Sequence, residues 1–193
     1  DPKQTYNFIT RQGLLSYLGR INYSYANKYL FAASVRADGS AKFGPSQKWG
    51  YFPSLSVGWV ISKEKFLNNV KWLDNLKLRG SYGGLGNNGI KDYLFTEQLF
   101  SSNYITGAGT GALTQGLAPS SSVQSNPNIT WERTFSFNGG VDASLFKGKV
   151  NVTVEVYQSR TEKLLLEQEA MGITGVSRVI NNKGSIQNNG VEI

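Results

Sequence analysis

Hydrophobic and polar positions alternate with a period of two along most of this chain, the period of a β-strand. The clearest run begins at Trp131. Phe135, Phe137, Gly139, Val141, Ala143 and Leu145 share its face, with Arg133 the one charged exception, while Glu132, Thr134, Ser136, Asn138, Gly140, Asp142 and Ser144 fall on the other. A turn at Lys147-Gly148 follows. Val150, Val152, Val154 and Val156 then alternate with Asn151, Thr153, Glu155 and Tyr157, completing a long amphipathic hairpin. A second hairpin lies near the start, where Tyr17, Gly19, Ile21, Tyr23 and Tyr25 alternate with Ser16, Leu18, Arg20, Asn22 and Ser24. After a turn at Ala26-Asn27, the apolar face passes through Tyr29, Phe31, Ala33, Val35 and Ala37, opposite Leu30, Ser34, Arg36 and Asp38. Further strands are predicted over 54–62 and 76–82, and a last one over about 185–193.

These strands run about nine to twelve residues, longer than the soluble mode of about five or six and long enough to cross hydrocarbon at a tilt. One face is aromatic and aliphatic, with Tyr and Trp crowding the strand ends as an interfacial girdle would. The other is polar and includes charges. Alternation of this kind also suits a soluble β-sandwich, whose apolar face packs a core, and that alternative stays open on pattern alone.

Connection lengths refine the picture. The turns at Ala26-Asn27 and Lys147-Gly148 are short, and the links over 39–48, 83–130 and about 161–184 are long. Outer-membrane barrels have short periplasmic turns and long outer loops. The link over 63–75, with Phe66, Val70 and Trp72 at helical spacing, reads as a short helical turn. With both short turns on one side, the strand over 76–82 runs outward and that over 131–145 runs inward, so the apolar run 93–100 belongs to a hairpin within the long connection. Seven crossings remain, an odd number with two unpaired edges, which lipid does not tolerate. The expected fold is therefore all-β: an antiparallel transmembrane β-barrel segment of about seven crossing strands.

Composition narrows the chemistry. The 193 residues include 22 glycines, 10 tyrosines, 10 phenylalanines and 4 tryptophans, with 17% charged residues, and this suits strands and turns. Histidine and cysteine are both absent, which removes His-based triads, thiol nucleophiles, disulfides and the usual zinc and iron–sulfur ligands. The formal net charge is +7, but lysine and arginine are scattered, with none of the aromatic interleaving of a nucleic-acid platform, and no nucleic-acid partner is expected. Gly84-Leu85-Gly86-Asn87-Asn88-Gly89 matches G-x-G-x-x-G literally; without a following helix it reads as a glycine-rich loop after a strand. The stretches 107–111 and 120–122 read as loop as well. Paired carboxylates run glycoside hydrolysis, which keeps a β-rich hydrolase open, yet Asp38, Glu132, Asp142 and Glu155 sit on different strands beside Arg20, Arg36 and Arg79. A hydrated interior with charge ladders accounts for the same residues. Tyr93, Phe95 and Tyr104 in the long connection suit either sugar stacking or loop packing.

With the strands laid out, several runs resemble one family. Residues 14–25 (LLSYLGRINYSY), 28–44 (KYLFAASVRADGSAKFG), 49–64 (WGYFPSLSVGWVISKE), 70–89 (VKWLDNLKLRGSYGGLGNNG), 126–146 (NPNITWERTFSFNGGVDASLF), 161–166 (TEKLLL) and 181–193 (NNKGSIQNNGVEI) are similar to barrel strands of SusC/RagA-type TonB-dependent transporters. The resemblance covers nearly the whole chain from about Arg11. It implies an outer-membrane importer of oligosaccharides or peptides in Bacteroidota, energised through TonB and capped by a SusD-like lipoprotein, with no cofactor and no enzymatic step. It also implies that the 193 residues are a partial barrel, with the N-terminal plug and C-terminal strands outside them. From strand parity, Arg20, Arg36, Arg79, Glu132, Asp142 and Glu155 are expected to line the lumen. Tyr17, Tyr23, Phe31, Trp59, Phe135 and Val152 are expected to face outer-membrane lipid. The alternatives are a soluble carbohydrate-binding or glycoside-hydrolysing β-sandwich, and a non-transporting barrel such as an adhesin.

Overall fold

In the computed structural model, residues 12–97, 99–106, 112–119, 123–171, 173 and 175–193 are described. The stretches 107–111 and 120–122 lie outside them, as does the side chain of Tyr104. Seven long strands form one antiparallel sheet: β1 (Leu14–Tyr25), β2 (Tyr29–Ser40), β3 (Trp49–Val60), β4 (Leu73–Asn87), β8 (Glu132–Leu145), β9 (Val150–Glu162) and β12 (Ser185–Glu192). Their spatial order is their sequence order, a simple meander. These are the seven crossings that the alternation predicts, most of them longer than the pattern alone marks out.

The short connections form for local reasons. Ala26 and Asn27 both take positive φ, 51° and 53°, and the Lys28 N–H donates to the Tyr25 carbonyl at 3.0 Å, a turn whose twist matches the paired strands. Phe146, Lys147 and Gly148 also take positive φ and close the β8–β9 hairpin. The link after β3 holds two 3₁₀ turns, Ile61–Lys63 and Lys65–Leu67, where a helical turn is predicted. Phe66 and Trp72 on this link are exposed, so it is no amphipathic helix packed on the sheet.

The long connections fold back on one another. The hairpin predicted at 93–100 exists but is displaced: β5 (Leu99–Thr106) pairs with β6 (Ala112–Pro119), and residues 92–95 form a turn that buries Leu94. A three-stranded sheet joins β10 (Leu165–Glu169), β11 (Arg178–Asn182) and β7 (Val123–Gln124). Phe43, Ile90, Leu94, Ile129 and Ile180 from the connections gather with Phe52 of β3 and with Trp131 into one buried cluster. Trp131 does not continue the apolar face of β8, as its parity suggests. The strand begins at Glu132, and Trp131 turns inward, 2% exposed, against Phe43 and Phe52, with its Nε1–H donating to the Lys48 carbonyl at 3.1 Å.

Among the described residues the apolar face of the seven-stranded sheet has no such cover. Tyr17, Tyr23, Leu55, Val57, Tyr82, Phe137 and Val156 on it are all exposed. A sandwich would pack this face against a second sheet; among the described residues the buried core lies among the connections instead. Aromatic side chains stack at both edges of the face. Tyr25, Tyr29 and Trp59 do so at the short-turn end, and Tyr17–Trp49 and Tyr82–Phe135 toward the long-loop end.

The apolar band runs obliquely across the strands. Pairing places Tyr23, Phe31, Val57, Gly80, Gly139 and Val156 on one line across the sheet. Beyond that line toward the long-loop end the band extends eight residues on β1, to Leu15, but none on β9, where Gln158 and Arg160 take over the face; toward the short-turn end it extends two residues on β1, to Tyr25, and six on β9, to Val150. The mean of the two edges, six residues of drift over five strand spacings, corresponds to a strand tilt of roughly 40°. Transmembrane barrels tilt their strands by about 35–45°.

Candidate functional site: the polar face of the sheet

Pairing fixes which residues share the polar face, because partners in register project to the same side. Leu18 pairs Arg36, which pairs Phe52; Gly58 pairs Arg79, which pairs Gly140, which pairs Glu155; Lys77 pairs Asp142. Arg20, Arg36, Arg79, Glu132, Asp142 and Glu155 therefore lie on one face. Tyr17, Tyr23, Phe31, Trp59, Phe135 and Val152 lie on the opposite one.

Three of the six charged residues meet. The Arg79 guanidinium donates from Nη2 to Glu155 Oε2 at 2.6 Å and from Nε to Asp142 Oδ2 at 3.2 Å, and Thr153 Oγ1 donates to Asp142 Oδ1 at 3.2 Å. Gly140 makes this possible: a Cβ there would stand 2.9 Å from Arg79 Cζ, so only glycine lets the guanidinium lie flat across β8. Sequence spacing alone does not show Asp142 and Glu155 converging. They share one cation as a cross-strand tie, unlike the open carboxyl pair flanking a sugar that glycoside hydrolysis needs.

The other three stand apart. Arg36 Nε bonds Asp38 Oδ2 at 2.7 Å, and its guanidinium lies 5.8 Å from the Phe52 ring centre. Asp38 is buried at the foot of the loop cluster. Arg20 Nε donates to Asn22 Oδ1 on the same strand. Glu132 accepts from Asn87 Nδ2 and from the Leu165 backbone N–H, so it anchors β10 to the strand tops.

Between the charged groups runs a belt of hydroxyls that alternation puts on the polar face without showing that they pair across strands. Ser34 and Ser54 are 2.7 Å apart, Ser136 and Ser159 3.0 Å, and Thr134 and Thr161 2.8 Å, each pair bridging neighbouring strands. The signal was available, since each sits at a polar parity position, but small hydroxyls carry no motif. Their small size leaves the face hollow. Two depressions of about 360 and 500 Å³ share Ser56, Ser81 and Asn138 and so form one trough along the sheet, with Arg36 and Phe52 toward one end and Lys77 and Arg79 toward the other. No cluster of metal-ligating side chains occurs among the described residues. The arrangement offers a wetted, hydrogen-bonding wall with fixed charges at two levels.

At the short-turn end a single carboxylate ties two turns together. Glu64 accepts from Tyr29 Oη at 2.8 Å, Lys28 Nζ at 3.0 Å and Trp59 Nε1 at 3.2 Å. These bonds, that of Tyr29 foremost, hold its carboxyl below the ordinary carboxylate value.

Comparison with known proteins places this sheet. Residues 2–193 match the family described as TonB dependent receptor-like, beta-barrel. The chain is 38% identical over 189 residues to the TonB-dependent receptor P39 of Formosa agariphila, covering 95% of this chain and 17% of that protein. It is 34% identical over 197 residues to the TonB-dependent receptor SusC of Bacteroides thetaiotaomicron, covering 96% and 18%. Among solved structures, the RagAB peptide importer in its closed-closed state superposes with a TM-score of 0.80 at 30% identity, over 93% of this chain and 19% of that one. The siderophore receptor PirA of Pseudomonas aeruginosa superposes at 0.59 with 11% identity, a likeness of fold alone. The chain spans less than a fifth of the length of the relatives P39, SusC and RagAB. It belongs to the TonB-dependent receptor β-barrel family, whose barrels lie in the outer membrane.

Proposed function

We propose that these 193 residues form part of the wall of a larger outer-membrane importer that takes up oligosaccharides or peptides with energy delivered through TonB. The polar face, with Arg20, Arg36, Arg79, Glu132, Asp142 and Glu155, lines the lumen, and the aromatic and aliphatic face meets lipid. The single observation carrying this reading is the oblique apolar band: one face uncovered among the described residues, edged by stacked aromatics and running so that the strands tilt by roughly 40° relative to it, is what a lipid-facing wall requires. The link to import comes from the relatives, one of them a peptide importer by name and one SusC.

In this reading the short turns face the periplasm and the clustered long connections face outward. A SusD-like lipoprotein presents substrate on that outer side, and a plug and the contacts with TonB belong to parts of the receptor other than this wall. Passage is gated and non-covalent. The trough of serines and asparagine supplies exchangeable hydrogen bonds to a hydroxyl- or amide-rich solute, which binds weakly enough to move on. The wall residues do no bond-making chemistry.

Deleting the receptor gene tests this reading. Cells without it are expected to lose uptake of a labelled oligosaccharide or oligopeptide pool, to regain it with the intact gene, and to lose it again when TonB is removed. Uptake that persists without TonB would contradict the proposal.

A further inference from the structure

The short-turn end of the sheet carries a concentration of charge that the importer reading leaves unused. Three turns meet there. Lys63 Nζ donates to the Asn27 carbonyl, the Phe146 N–H donates to the Trp72 carbonyl at 2.9 Å, and the Gly148 N–H donates to Asp74 Oδ2 at 2.9 Å. Along this rim stand six lysines, at 28, 63, 65, 71, 147 and 149, against two acids, Glu64 and Asp74. Lys28 is paired with Glu64. Lys65, Lys71, Lys147 and Lys149 are exposed and make no ion pair among the described residues. The three long connections at the other end, several times longer in total, come closer to balance, with six basic residues against four acidic ones.

Large apolar side chains stand among these lysines. Phe66, Trp72 and Phe146 are 68%, 55% and 53% exposed, and the Trp72 and Phe146 rings lie 6.5 Å apart. They sit at the same end as the Tyr25–Tyr29–Trp59 stack that borders the apolar band. A rim with exposed aromatics beside unpaired ammonium groups matches an interface in which acyl chains give way to phosphates: rings settle at headgroup depth and each ammonium attracts an anionic headgroup.

We infer that this rim is a binding site for anionic phospholipid of the periplasmic leaflet, with Lys65, Lys71, Lys147 and Lys149 holding the phosphates and Trp72 and Phe146 seated at the acyl–headgroup boundary. The inference rests on the reading that the short turns face the periplasm. Its function is to fix the depth of this part of the wall in the membrane, next to the turns tied by Glu64.

The test uses the intact receptor, purified in mild detergent, stripped of lipid and offered phosphatidylglycerol or phosphatidylcholine, with adducts counted by native mass spectrometry. Wild type is expected to retain phosphatidylglycerol over phosphatidylcholine. The K65Q/K71Q/K147Q/K149Q variant is expected to lose that preference by at least about tenfold. The same four positions as arginine, and a long-loop control K91Q/K163Q/K183Q, are expected to keep it. Heat-modifiable gel mobility verifies that each variant is a folded barrel. A folded quadruple glutamine variant that retains phosphatidylglycerol like wild type would overturn the lipid site and leave the wall assignment standing. Labelling of a Lys147→Cys variant by an impermeant maleimide distinguishes the other failure. Reaction is expected only after the outer membrane is permeabilised; reaction on intact cells would overturn the orientation, and the lipid site with it.

Discussion

Arg79 and Phe52 both crowd a glycine on a neighbouring strand, and the two contacts have different worth. The Arg79 guanidinium crosses Gly140 with about a third of its side chain still open to solvent. Ion pairs in that setting contribute modestly, so Gly140→Val, which pushes the guanidinium off its carboxylates, is expected to cost only about 1 kcal/mol. Phe52 is 3% exposed, and a Cβ at Gly86 would overlap its ring. Gly86→Val is expected to cost about 1–3 kcal/mol, because a packed aromatic cannot give way as a partly solvated guanidinium can. Thermal midpoints of the folded barrel check the order of the two.

Glu64 gives a pH signature. Its carboxyl is held below the ordinary value of 4.5, so the stabilisation it lends the two turns is fully present above that value and is lost as pH falls through the lower folded value. Trp59 donates to this carboxylate, and its fluorescence is expected to titrate below pH 4.5 in wild type and to stay flat in Glu64→Gln. Sequence could show Glu64 beside lysines. It could not show that Tyr29 and Trp59, which parity assigns to the lipid face, turn their polar tips to it at the strand ends.

Among the elements, the long strands were legible and the connections were not. A strand with one wet and one apolar face declares itself by period, and β8 carries the signal over more than ten residues and β9 over the eight from Val150 to Tyr157. The connections bury residues irregularly, so Leu94 reads as part of a hairpin and Ile129 as an ordinary loop position although both are buried. Trp131 illustrates the limit: its parity matches Phe135, but the strand stops one residue short and the ring turns into the loop cluster.

That cluster is held by polar clamps as well as by rings. The Asn182 side chain mimics a strand partner for Thr130: its Oδ1 accepts from the Thr130 N–H at 2.8 Å and its Nδ2 donates to the Thr130 carbonyl at 2.8 Å. Asn182→Ala strands two buried backbone groups and is expected to cost about 1–3 kcal/mol. Trp131→Ala removes a central ring and is expected to cost about 3–5 kcal/mol. Both losses belong to the connections. Limited proteolysis of folded receptor is expected to cut within 88–130 or 163–184 sooner in each variant, while the seven-stranded sheet stays protected.

On the scale of the whole molecule, a barrel wall differs from a sandwich in which face of the sheet is wet. Alternation alone left a sandwich and a barrel wall both open, because each has one apolar face. What separates them is the absence of a packed layer over that face among the described residues and the diagonal course of the band. The diagonal is invisible in sequence until register is known, since drift along the strands is measured against the pairing of neighbours.

Cysteine scanning across the two faces of the sheet distinguishes a lumen wall from a lipid wall. Single cysteines at Arg20, Arg36, Arg79 and Asp142, and at Tyr23, Phe31, Trp59 and Val152, would be placed in the intact receptor in permeabilised outer membranes and exposed to a small hydrophilic maleimide. A lumen-facing polar wall is expected to label at the first four and to be protected at the second four, with the second set reacting instead with a lipid-dissolved probe. Equal labelling of the two sets, or protection of the first and labelling of the second, would contradict it.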